Sequence, residues 1–142
     1  MTYELEQLQR FFISSLEQIL TDLDVALIDE ILDDRDFTSF SQSWEDAFGH
    51  IEEKKFTVDE KNNIDKTRQE VFMMTFSKTN SSDLSAYISE DFELIASHLL
   101  ANTNNTWVTS LCATYFEKKI PQGELRSIKE TLKEFILVWA KS

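Results

Sequence analysis

Apolar side chains recur every three or four positions along most of this chain. Leu5, Leu8, Phe12, Leu16, Ile19 and Leu23 form the first row, the spacing of a helix with one buried face. Residues 24–34 continue with Leu27, Ile28, Ile31 and Leu32, interleaved with Asp29, Glu30, Asp33 and Asp34. Thr21 followed by Asp24 reads as a cap between two helices, and residues 33–39 read as the first loop. Phe40, Trp44, Ala47 and Phe48 mark a short helix that Gly49 is placed to end. Thr57 and Glu60 have the spacing of a capping box and open a long helix to about Lys78, apolar at Ile64, Val71, Phe72 and Phe76. Ser82 and Ser89 both fit N-cap positions. The helix after Ser89, with Glu90 and Asp91 at the positive end of its dipole, carries Phe92, Ile95, Ala96, Leu99 and Leu100. Thr106 caps a helix with two apolar rows, Trp107–Leu111–Tyr115 and Val108–Cys112–Phe116. Pro121-Gln122-Gly123 breaks it, and a last helix from Glu124 to about Lys141 repeats Leu125, Ile128, Leu132, Phe135, Ile136 and Trp139. No segment alternates as a strand would, and nothing repeats. The pattern predicts an all-α fold, a single compact bundle of six or seven helices over residues 1–142, with Leu99, Leu132 and Phe135 buried.

Composition supports helices over sheets. Two glycines and one proline leave almost none of the punctuation that tight β-turns need. Eleven phenylalanines and 42% apolar residues suit a folded core, despite the charge. The single cysteine, Cys112, excludes an internal disulfide and a cysteine-based zinc site. Charges at Glu4, Glu6 and Arg10 stand where a signal peptide needs an apolar core, and no apolar run approaches the ~20 residues of a membrane span, so the expected location is the cytoplasm and no membrane partner is expected.

Charge changes the picture most. The formal net charge of −12 is confined to residues 1–53, an acidic N-terminal third with 14 acidic side chains against Arg10 and Arg35; residues 54–142 hold 12 of each sign. Net charge so one-sided speaks to association rather than to fold. Asp22, Asp24, Asp29, Glu30, Asp33, Asp34 and Asp36 put seven carboxylates into fifteen residues. A calcium loop begun at Asp22 would need an oxygen ligand and then glycine where Ala26 and Leu27 stand, so no metal site is expected. Two readings of the run remain, a solvated helix face and a docking face for a basic partner. Phe37 and Phe40 flank its end, as tertiary anchors or as apolar contacts of that face. Glu45 and Asp46 are candidate neighbours.

Other chemistry is sparse. His50-Ile51-Glu52 lacks the cysteine pair that would complete a zinc deaminase signature. His98 and Cys112 could meet across two helices, but an apolar row predicts an inert thiol. Gly49 and Gly123 do not make a phosphate loop. Lys54-Lys55 and Lys118-Lys119 are too small a basic surface for direct nucleic-acid binding. No catalytic residue and no cofactor is expected.

The stretch Asp22 to Asp36, DLDVALIDEILDDRD, resembles the acidic, helical recognition surface of bacterial immunity and antitoxin proteins, those of bacteriocins and of contact-dependent inhibition. That resemblance implies a non-catalytic inhibitor that docks an acidic face on a basic toxin or nuclease. Two alternatives stay open: a partial nucleic-acid mimic acting against a defence nuclease, and a structural or oligomeric helical protein. A full duplex mimic is excluded by magnitude, because a helix of about 22 Å would need ~13 charges at one per ~1.7 Å.

Overall fold

The computed structural model describes residues 2–141, the side chain of Phe12 excepted. Eight α-helical stretches appear in chain order: α1 (Tyr3–Phe11), α2 (Glu17–Asp22), α3 (Ile28–Asp36), α4 (Ser39–Gly49), α5 (Val58–Thr79), α6 (Ser82–Ala101), α7 (Thr106–Phe116) and α8 (Leu132–Ala140). A π-helical turn, Phe12–Leu16, joins α1 to α2 as one rod, and a 3₁₀ turn, Val25–Leu27, precedes α3. The described residues therefore form seven rods and no strand, an all-α bundle.

The π turn corrects the first apolar row. Its extra residue makes the buried series Leu5, Leu8, Phe11, Leu16, Ile19, Leu20, with a step of five between Phe11 and Leu16. Phe11 thus enters the core against Phe116 and Trp139, with ring centroids 4.1 and 5.9 Å away. The side chain of Phe12, placed in that row by periodicity, lies outside the described residues.

At the centre stands α6, which packs against α1, α5, α7 and α8. Twelve of its twenty residues are buried, among them Leu84, Ile88, Phe92, Ile95 and Leu99, the burial of a helix covered nearly all round. It begins at Ser82 and is capped by Ser81, whose hydroxyl accepts from the Leu84 N–H. Ser89 is mid-helix and buried rather than a cap, which moves Asp91 from a helix terminus into the core. By contrast α5 buries a narrow stripe, Ile64, Thr67, Val71 and Thr75; Phe76 falls outside it and stacks on Phe72. Thr57 and Glu60 form the expected capping box. Asn80 and Asn102 end α5 and α6 in the left-handed region, a conformation that Asn tolerates. Asn105, rather than Thr106, caps α7.

The last helix is shorter than its apolar spacing suggests. Thr131 and Glu134 close a capping box that starts α8 at Leu132, and residues 117–130 join α7 to it as a loop. Gly123 lies in this loop at φ 63°, so close to α3 that a Cβ there would sit 2.9 Å from an Asp34 carboxylate oxygen. Leu132 and Ile136 are buried, Leu99 is buried, and Phe135 is only half-buried against Phe116.

Candidate protein-docking site

The acidic run folds in two steps. Asp24 accepts from the Ala26 N–H at 3.0 Å and caps the 3₁₀ turn; Thr21 instead turns its hydroxyl back to the Glu17 carbonyl. Then α3 begins at Ile28 and runs through Asp36, where a loop was expected. Asp29 and Glu30 suit its positive N-terminal end, but Asp33, Asp34 and Asp36 crowd the negative C-terminal end, where carboxylates are disfavoured. Another interaction must hold that turn.

Arg35 supplies it. Ile28, Ile31 and Arg35 form the buried face of α3, and Arg35 is 4% exposed. Its Nη1 and Nη2 donate to Asp91 Oδ2 and Oδ1 at 2.8 and 2.7 Å, a bidentate pair. Asp91 is fully buried on α6 and also accepts from the Tyr115 hydroxyl at 2.6 Å and from Trp44 Nε1 at 3.0 Å. Arg35 Nη1 reaches the Pro121 carbonyl, and the guanidinium carbon lies 4.4 Å from the Phe40 ring centre and 5.3 Å from that of Tyr87. Burial works against the charge on Arg35, yet the Asp91 carboxylate outweighs it and raises the guanidinium pKa further. The Tyr115 hydroxyl is pushed well up, by burial first and then by the Asp91 charge. One ion pair therefore ties α3 to α4, α6, α7 and the 117–130 loop.

With Arg35 turned inward, the carboxylates of α3 leave on two flanks. Helical spacing sets Asp29, Asp33 and Asp36 on one and Glu30 and Asp34 on the other. Glu30 joins Asp22 and Asp24 along a groove of about 730 Å³, lined also by Leu23, Leu27 and Leu125 and, from the loop after α7, by Lys118, Lys119 and Arg126. Asp36 joins Glu45 along a smaller cleft beside Tyr87 and Glu90. Asp46 accepts from Gln42 on the same helix. Phe37 is 83% exposed, next to Asp36. Phe40 is corrected: it is 2% exposed, packed edge-on against Trp107 and under Arg35, and belongs to the core rather than to an outer face.

Cys112 sits as an inert thiol in an apolar row would, and His98 is engaged elsewhere. His98 Nε2 lies 2.9 Å from the Ala47 carbonyl and Nδ1 pairs with the Thr103 hydroxyl, so both ring nitrogens are occupied. Cys112 is buried among apolar neighbours, and burial drives its thiol pKa far up. Asp91, Tyr115 and Trp44 went unnoticed as a site. One signal was present: Arg35 follows Ile28 and Ile31 at steps of three and four, on the apolar stripe of an acidic helix.

The family model described as immunity protein PIM1 matches residues 5–122. The chain belongs to this immunity protein family. The match spans the rods that carry the Arg35–Asp91 pair and stops at Gln122, before α8. No curated protein matches the chain. Membership of the PIM1 family supports an inhibitor-type immunity role in general, one that involves binding a partner protein, a toxin. No helix among the described residues is long and apolar enough to cross a membrane.

Proposed function

We propose that residues 22–36, with Glu45 and Asp46 beside them, form an acidic docking face for a basic toxin such as a nuclease. The observation that carries this reading is a local charge excess. Among the described residues, Asp22, Asp24, Asp29, Glu30, Asp33, Asp34, Asp36, Glu45 and Asp46 have no cation within ion-pair distance; elsewhere Glu4, Glu17, Glu70, Glu93 and Glu117 each have one and others, such as Asp59, Asp65 and Asp83, have none, but residues 54–142 carry as many basic as acidic side chains. The one cation inside the run is consumed by Asp91. Counted without that pair, residues 1–53 set 14 carboxylates against Arg10 alone. Such a one-sided field draws a basic protein in and accelerates encounter by roughly 10–10³, an effect that salt removes. Phe37 adds an exposed ring of the kind that anchors interfaces. The same reading has the protein acting in the cytoplasm, without catalysis and without contact to nucleic acid.

The test uses the cognate toxin, sought in the reading frame adjacent to this gene. Asp33→Asn with Asp34→Asn should slow association by about three- to tenfold at low salt, with the difference shrinking at high salt. An unchanged rate and an unchanged salt slope would reduce the run to a solvated face.

A further inference from the structure

The cleft between the end of α3, α4 and α6 is smaller than the groove and lined differently. Its volume is about 160 Å³, below the roughly 300–1,000 Å³ of a small-molecule pocket and suited to one long side chain. Three rings, Phe40, Trp44 and Tyr87, line it together with three carboxylates, Asp36, Glu45 and Glu90. The rings are held in place. Tyr87 donates its hydroxyl to Asp36 Oδ1 at 2.7 Å, Trp44 Nε1 is fixed on Asp91, and Phe40 is clamped between Arg35 and Trp107. Arg35 also borders the cleft, but Asp91 matches its charge, so the three rim carboxylates set the local sign. The Glu90 carboxyl pKa is raised, by burial first and then by the Asp91 charge, with Arg35 and Arg68 opposing the rise.

We propose that this cleft receives a single lysine or arginine side chain of the partner protein. The inference rests on the docking reading and names a recognition pocket within it. Arg35 already lies over the Phe40 and Tyr87 rings, so the incoming cation draws on the half-buried Trp44 ring through its quadrupole and on the three carboxylates, which close ion pairs around it. An anionic group would meet three like charges, and an apolar one would strip water from them without replacing it. Walls already fixed by hydrogen bonds lose little freedom on binding.

The pocket can be tested without the toxin, using N-acetyl-arginine amide and N-acetyl-lysine amide as probes and N-acetyl-norleucine amide as the uncharged control. The indole N–H resonance of Trp44 should shift saturably with the two cationic probes and not with norleucine, while that of Trp139, in α8, stays in place. Glu45→Gln with Glu90→Gln should weaken probe binding by at least about fivefold, and Asp29→Asn with Asp33→Asn, outside the cleft, should leave it within about twofold. Glu45 is exposed, so Glu45→Gln alone serves as a second variant if the double variant is poorly folded. An equal response to norleucine, a linear shift with no saturation, or equal losses in the two double variants would overturn the pocket. Failure here leaves the association-rate test of the whole face standing, and failure there would leave a cation pocket without a steering field, so the two results are separable.

Discussion

Carboxylates in the two parts of this molecule meet different fates. Outside the acidic segment, Glu70, Glu93 and Glu117 find cations within their own part of the chain, Glu4 and Glu17 borrow Lys133 and Lys78 from it, and carboxylates without a pair, such as Asp59, Asp65 and Asp83, share residues 54–142 with an equal number of basic side chains. Between Asp22 and Asp46 no exposed carboxylate finds one, and the only cation in that stretch is buried. The first arrangement is ordinary surface chemistry and adds little to stability. The second leaves a charge excess that the fold does not neutralise, and the docking proposal rests on that excess. What attaches this repelling segment to the bundle is one buried bidentate ion pair, in which only Arg35 Nε lacks an acceptor, together with Ile28, Ile31 and Phe40.

The largest expected effect comes from breaking that attachment. Asp91→Asn leaves the Arg35 charge buried and unpaired, and should cost about 3–5 kcal/mol in urea unfolding. Replacing both partners with apolar residues, Arg35→Met with Asp91→Leu, should recover only part of the loss, because the Tyr115 hydroxyl and Trp44 Nε1 then lose their acceptor; no recovery would show that the pair does more than hold α3 in place. Leu132→Ala probes the compensated part, where α8 lies beyond the family match, and should cost about 2–5 kcal/mol because Leu132 is buried. An unmoved unfolding midpoint would mean that α8 is not packed as described.

A smaller effect should follow from pH. Burial lowers the His98 pKa below its ordinary value of 6.5, and the imidazole stays neutral while it joins Ala47 of α4 to α6. The unfolded chain binds that proton more readily, so this contribution is present at neutral pH and is lost as pH falls below the unfolded pKa toward the folded one. The urea midpoint of the wild type should fall between about pH 7.5 and 5.5 by more than that of His98→Gln. Equal slopes would deny the buried, neutral histidine.

The smallest effects separate the two surfaces. Arg68→Gln, which removes the exposed pair with Glu93, and Asp33→Asn with Asp34→Asn should each move stability by less than about 1 kcal/mol. Only the second should alter toxin association. A large stability change from the aspartates would make them structural and erase the contrast.

Much of this was legible in advance. The apolar period gave the helices because a one-sided stripe has few ways to be buried, and Thr57 with Glu60 announced its helix because capping is a local interaction. Boundaries failed where local signals competed. Ser89 looks like a cap by residue type, and only the packing of α6 on four neighbours shows it to be interior. Glu124 follows Pro and Gly as a helix start would, yet Thr131 and Glu134 make the stronger cap seven residues on. Within the candidate site, the acidic positions were plain in the sequence. The cleft was not, because its rings and carboxylates come from α3, α4 and α6.

The sequence by itself determined the helical class, most core stripes and the confinement of negative charge to one third of the chain, since each follows from local spacing or simple counting. Tertiary structure alone decided that Arg35 is neutralised by a residue 56 positions away, that Phe40 is interior while Phe37 is exposed, and that the 117–130 loop borders the acidic helix. These are contacts between segments distant along the chain, and no periodicity within one segment encodes its partner.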